Sequence, residues 1–212
     1  MIVLSHRGYW ISDNEKNTVT AFKRSFELGF GTETDIRDLN GELVISHDIP
    51  VLSKTTIYVQ EFFNLYRSYN KDLPLALNVK SDGLQTQLRK LLEKYEISNY
   101  FVFDMSIPDG LQYHKHGFNV FTRQSEYEVR PAYYDESVGV WLDEFKSHWI
   151  STEVIADHLK NNKKVCIVSP ELHKRKYHEE WSDYKKMSNL ITNQNNLMIC
   201  TDKPEEARAY FK

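Results

Sequence analysis

The stretch Ile2–Pro50, IVLSHRGYWISDNEKNTVTAFKRSFELGFGTETDIRDLNGELVISHDIP, decides how the rest of the chain is read. Ile2-Val3-Leu4 is a continuous apolar run, the pattern of a short buried strand, and it leads directly into Ser5-His6-Arg7-Gly8. Thr18 is a good helix N-cap, Phe22 and Phe26 lie four apart on one face, and Gly29 or Gly31 can end the turn, so a helix is expected over Val19–Leu28. Thr32–Ile36 follows as a second strand, in which alternation points Glu33 and Asp35 to the same side. Two adjacent carboxylates repel and raise each other's pKa unless a cation or a basic group lies between them. Asn40-Gly41 is a two-residue hairpin turn that pairs Leu39 with Glu42 and sets Asp35 opposite Ser46. The turn therefore carries His47 back beside Glu33 and Asp35, although ideal alternation aims it at the other face unless a bulge or strand end re-aims it.

Two imidazoles, a guanidinium and two carboxylates at strand ends are the composition of a metal-assisted phosphoryl-transfer site. Acidic oxygens suit a hard cation, imidazoles carry protons near neutral pH, and Arg7 suits a phosphate. Each residue also has an ordinary use. His6 and His47 could bond local backbone in turns, and Glu33 and Asp35 could pair with Arg7, Arg37 or Lys80.

In order and spacing, His6-Arg7-Gly8, Asn17-Thr18 with Ala21-Phe22, Glu33-x-Asp35, Gly41 and His47-Asp48 resemble the N-terminal signature of the glycerophosphodiester phosphodiesterase family, whose superfamily includes phosphatidylinositol-specific phospholipases C. Later the resemblance continues only in Asn78-Val79-Lys80 and Thr201-Asp202-Lys203-Pro204. Two positions depart from the family pattern: Glu15-Lys16 stands where a proline-glutamate pair is usual, and Asn78 where the third metal ligand is usually glutamate. The resemblance implies that His6 and His47 are the catalytic acid and base. It also implies that Arg7 and Lys80 bind phosphate and that Glu33, Asp35 and Asn78 hold a divalent metal, Mg²⁺ or Ca²⁺. Asn78 brings an oxygen but no charge, so either the metal is held more weakly or Asp104, on the next strand, restores the charge.

The remaining chain alternates strand-like and helix-like segments. Strands are expected at Leu75–Val79, Tyr100–Phe103, Asn119–Phe121, Val138–Leu142, Val165–Val168 and Leu197–Cys200. Helices are expected near Val59–Tyr69, Leu84–Tyr95, Pro108–Gly117, Val154–Leu159, Glu179–Ile191 and Pro204–Phe211, with a loop over Gln124–Glu136. No glycine-rich dinucleotide or P-loop fingerprint occurs, which favours a closed parallel barrel over an open doubly wound sheet. The fold expected is α/β: one compact (β/α)8 TIM-type barrel over residues 1–212 with a small hairpin excursion after the second strand. Active residues in such barrels lie at C-terminal strand ends. Asp104, Asp143, Glu171 and Asp202 fall there as a second rank of candidates; for Asp143 a helix-capping role is an equal reading, and His173 lies in the same loop as Glu171.

The formal charge of −3, with no basic block beyond Lys174-Arg175-Lys176, argues against a dedicated nucleic-acid binder. The four-residue apolar opening is far short of a secretory core, and no run approaches a transmembrane length. Cys166 and Cys200 each sit inside a strand-like run and are expected as buried reduced thiols, as in a cytoplasmic protein. The reading is a metal-dependent hydrolase of a small glycerol-, polyol- or sugar-phosphodiester. The alternatives are a non-catalytic binder of a phosphorylated polyol or sugar, and a phospholipase-like transferase that forms a cyclic phosphodiester.

Overall fold

Ile2–His6 forms β1, and each later strand but one adds parallel to it. The computed structural model describes residues 1–69, 72–190 and 196–212. Its other strands are β2 (Gly31–Leu39), β3 (Glu42–Ile45), β4 (Leu75–Val79), β5 (Tyr100–Phe103), β6 (Phe121–Gln124), β7 (Gly139–Leu142), β8 (Lys164–Val168) and β9 (Leu197–Thr201). The helices are α1 (Val19–Leu28), α2 (Val59–Ser68), α3 (Gln85–Lys94), α4 (Ile107–Lys115), α5 (Thr152–Lys160), α6 (His178–Asn189) and α7 (Pro204–Tyr210). The strand order is β5-β4-β2-β1-β9-β8-β7-β6, and β3 pairs antiparallel with β2 alone. The two ends of that order meet at an isolated parallel bridge, Val102 with Val120, where the Val102 N–H donates to the Asn119 carbonyl at 2.8 Å. Eight parallel strands thus close a nearly complete barrel inside a layer of helices, the TIM architecture expected.

Local chemistry sets the boundaries. The Thr18 hydroxyl accepts the Ala21 N–H at 3.3 Å to start α1, and Gly29 ends it at φ 77°. The hairpin holds the register read from sequence: Leu39 faces Glu42, and the Ser46 N–H donates to the Asp35 carbonyl at 3.1 Å. The largest departure is at β6. Asn119–Phe121 is not the fifth barrel strand: pairing with β7 shifts it to Phe121–Gln124, which brings Arg123 inside the strand. Between β6 and β7 no helix forms, in keeping with the loop expected over Gln124–Glu136, and the described α-helices number seven. There the Glu126 carboxylate pins the connection by accepting N–H groups of Phe145, Lys146 and Ser147 at 3.0, 2.8 and 3.1 Å. Helix α6 ends at Asn189, and the expected end at Ile191 lies outside the described residues.

The barrel interior is plugged by Leu4, Ala76, Phe101, Phe103, Phe121, Trp141, Cys166, Val168, Met198 and Cys200, which form one buried cluster. Phe121 stacks on Phe101 with centroids 3.8 Å apart, and Gly139 lies against that stack. A Cβ on Gly139 would collide with the Phe121 ring and lie 2.7 Å from the Lys164 carbonyl oxygen. Gly139→Ala is therefore expected to destabilise the protein by about 2 kcal/mol or more. Thermal unfolding by circular dichroism would read this as a drop of roughly 4–8 °C; an unchanged midpoint would show that the stack yields freely.

Candidate active site at the barrel mouth

The alternation that turns Leu4, Ala76, Phe121, Trp141 and Cys200 into the plug turns His6, Asn78, Arg123, Asp143 and Asp202 into the opening above it. Strand β2 puts no large apolar side chain into the plug, and its Glu33 and Asp35 are buried at 1% and 0% exposure.

His6 is held from the last strand. Its Nδ1 lies 2.7 Å from Asp202 Oδ1, and its Nε2 is 3.9 Å from Glu33 Oε2. Asp202 is positioned in turn by Glu171, which accepts the Asp202 N–H at 3.2 Å and also bonds the Thr201 and Ser169 hydroxyls. Burial is the main force raising the Glu171 carboxyl above its usual range.

Arg7 and Asn17 knit β1 and α1 onto the carboxylates. The Arg7 N–H donates to Glu33 Oε2 at 3.1 Å, and its Nε lies 3.1 Å from Asp35 Oδ2. Asn17 Nδ2 donates to the same Asp35 oxygen at 2.8 Å, while its carbonyl accepts the Thr34 hydroxyl at 2.9 Å. Both residues are left-handed, each at φ 57°, and Asp104 joins them at φ 73°. Such positions cost of order 1–3 kcal/mol each and tend to cluster where function requires them.

Lys80 Nζ lies 3.6 Å from Asp35 Oδ1 and 3.3 Å from Asp104 Oδ2. The other Asp104 oxygen accepts Arg123 Nη1 at 2.6 Å. Asp104 is therefore engaged by two cations, which disfavours it as the substitute metal ligand that the sequence left open.

Asp35 and Asn78 are register partners on β2 and β4. Asp35 Oδ1 and Asn78 Oδ1 are both buried without a hydrogen-bond partner. Buried oxygens in that condition are costly and call for an explanation. Beside them, burial and the Asp35 charge push the Glu33 carboxyl up to about 7, against the pull of His6, Arg7 and Lys80. Two unmet oxygens and a carboxylate short of positive charge fit a hard divalent cation with oxygen ligands. The residues present therefore suit a metal at Glu33, Asp35 and Asn78.

His47 is near the site in the chain but is not joined to it. It is exposed, its Nδ1 meets Asp48 Oδ1 at 2.8 Å, and no described hydrogen bond or ion pair ties its ring to Glu33 or Asp35. Asp143 and His173 form a separate pair on the far arc, with Asp143 Oδ1 2.5 Å from His173 Nε2. Lys16, where the family has glutamate, pairs with Asp13 at 2.8 Å and lies 4.2 Å over the Trp10 ring. Both cysteines are buried and free, as expected.

A second cluster of possible ligands, Glu144, His148 and Glu180, lies behind the rim against α6. Glu144 is already engaged. One of its oxygens accepts from the Trp149 N–H, the Ile150 N–H and His148 at 2.7, 2.7 and 3.0 Å, and the other accepts the Tyr184 hydroxyl at 2.6 Å. Arg175 caps the neighbouring Glu180. This network has the character of a loop anchor.

Sequence reasoning ranked Asp202 below His47 and gave Asn17 and Arg123 no role. Asn17 stood in the quoted motif, and Arg123 at a strand end, so each had a signal of position without one of contact.

No family model matches the sequence, and no curated protein matches it. Solved structures do. A Galdieria sulphuraria protein assigned to the glycerophosphodiester phosphodiesterases superposes with a TM-score of 0.78 at 17% identity, covering 99% of this chain and 97% of that one. An Oleispira antarctica phosphodiesterase in complex with the product sn-glycerol-3-phosphate gives 0.69 at 13%, covering 99% and 96%. A Ca²⁺-dependent phosphatidylinositol-specific phospholipase C from Streptomyces antibioticus gives 0.63 at 9%, covering 100% and 96%. At these identities the likeness is one of fold, and the chain has the barrel fold shared by glycerophosphodiester phosphodiesterases and this phospholipase C.

Proposed function

We propose that the chain is a metal-dependent phosphodiester hydrolase acting on a small glycerol-, polyol- or sugar-phosphodiester. The observation that carries the reading is the juxtaposition of the unmet Asp35 and Asn78 oxygens with the His6–Asp202 pair at one barrel mouth. The fold neighbours support it, one of them holding a glycerol phosphate product.

Glu33, Asp35 and Asn78 are the ligands in this reading. A divalent cation there, Mg²⁺ or Ca²⁺, supplies Lewis-acid polarisation of a phosphoryl oxygen. Arg7 and Lys80, which reach Asp35 from opposite sides, offset charge that grows on the phosphoryl oxygens. Asp202 fixes the His6 tautomer by accepting a hydrogen bond from Nδ1–H, which leaves Nε2, on the Glu33 side, as the proton-transfer atom. His47, as the motif implies, serves the opposite proton transfer from the end of β3. No described helix is long and apolar enough to cross a membrane, and buried reduced thiols suit a cytoplasmic setting.

Purified protein stripped with chelator is expected to be inactive on a panel of glycerophosphodiesters and sugar-phosphate diesters and to regain turnover with Mg²⁺, Ca²⁺ or Mn²⁺. His47→Ala is expected to lower turnover by about a hundredfold. Metal bound with no turnover on any diester would favour the phosphorylated-polyol binder. Phosphorus NMR separates hydrolysis from the transferase chemistry: an accumulating cyclic phosphodiester would replace the hydrolase reading.

A further inference from the structure

Two polar groups on the β7–β8 arc of the mouth take no part in the chemistry above. Asp143 follows Trp141 into the barrel and is 5% exposed. His173 reaches it from the 3₁₀ turn Pro170–His173 after β8. Once Asp143 Oδ1 and His173 Nε2 have met, neither Asp143 Oδ2 nor His173 Nδ1 has a hydrogen-bond partner among the described residues. The Phe145 ring centroid lies 4.6 Å from that of the imidazole, and the Arg123 guanidinium is 5.9 Å from the same ring. Asp143 stands two residues past Trp141 of the plug, as Asn78, the register partner of Asp35, stands two past Ala76, so the pair faces the same opening as the carboxylates of β2.

We infer that Asp143 and His173 form the subsite for the alcohol esterified to the phosphate, and that they select a hydroxyl-bearing alcohol, a polyol or sugar, over an alkyl one. The inference rests on the phosphodiester reading and specifies its substrate. With Nε2–H donated to Asp143, His173 Nδ1 is an acceptor, and Asp143 Oδ2 is a second acceptor close by. Two neighbouring hydroxyls, each donating one hydrogen, satisfy both. An alkyl chain in the same place leaves a desolvated carboxylate oxygen unmet, the costly side of the hydrogen-bond balance. The face of Phe145 suits the C–H surface of a polyol. An ammonium group could also donate to these acceptors, and phosphoethanolamine tests it against the hydroxyl pair.

Isothermal titration calorimetry on the Mg²⁺-supplemented protein tests this without turnover, using inorganic phosphate, ethyl phosphate, phosphoethanolamine and glycerol 3-phosphate as probes. Glycerol 3-phosphate is expected to bind about tenfold or more tightly than ethyl phosphate. His173→Phe, which keeps a ring against Phe145, and Asp143→Asn, which keeps the shape, are each expected to bring that ratio within about threefold. Equal affinities in the unaltered protein, a ratio that neither variant moves, or a preference for phosphoethanolamine would overturn the subsite while phosphate binding stands. Failure to bind even inorganic phosphate would overturn the phosphodiester reading and the subsite with it.

Discussion

His6→Ala is expected to lower kcat about a thousandfold or more without loss of metal binding. General acid–base groups contribute roughly 10²–10⁴-fold, and His6 is held by the Asp202 carboxylate on one nitrogen while the other lies 3.9 Å from Glu33, one of the metal-ligand candidates. The substitution removes no proposed metal ligand, so the Mg²⁺-induced rise in melting temperature should persist. Asp202→Asn should act in the same direction with a smaller effect, because the imidazole stays in place but loses the partner that fixes its tautomer. Steady-state kinetics beside differential scanning fluorimetry separates the cases. A variant that keeps full turnover would remove His6 from the chemistry, and one that loses metal binding as well would make its role structural.

Glu33→Gln should have two effects of opposite sign. Metal affinity falls by about a hundredfold or more, since a charged ligand is lost from a site that has only two carboxylates. The metal-free protein, in contrast, becomes more stable at alkaline pH. The Glu33 carboxyl titrates at about 7 in the fold against 4.5 ordinarily, raised chiefly by burial and then by Asp35. The folded state therefore holds this proton more tightly than the unfolded chain. The stability due to it is full below about pH 4.5 and is lost as pH rises through 7, a loss on the order of 3 kcal/mol. Glutamine keeps an acceptor for the Arg7 N–H and has no charge to bury. Melting at pH 8 in chelator should rise by roughly 5–10 °C, with no gain at pH 4.5. A lower melting temperature at pH 8 would mean that the ion pairs around Glu33 outweigh its desolvation.

The first unit of the barrel was legible because its signals are local. The Thr18 cap, the Asn40-Gly41 turn and the alternation of Glu33 and Asp35 each lie within a few residues, and each is found as expected. The β6 boundary was not, because Phe121–Gln124 is fixed by its pairing with Gly139–Leu142 rather than by its own pattern. The same limit hid the neighbours of the site residues. That Asp104 is taken up by Lys80 and Arg123, or that Asp202 grips His6, depends on strands far apart in the chain. His47 is the reverse case: the hairpin brings its backbone to the site, while its ring turns to Asp48 instead.

Strand β9 lies between β1 and β8, so a late strand of the barrel docks directly on an early one. The two halves of the His6–Asp202 pair are separated by 196 positions. During synthesis the imidazole leaves the ribosome well before its carboxylate. A nascent chain that has folded the units before β9 still lacks the carboxylate that meets His6 Nδ1. The His6–Asp202 contact therefore forms only once β9 has docked, and a chain cut before Leu197 lacks both that strand and the aspartate.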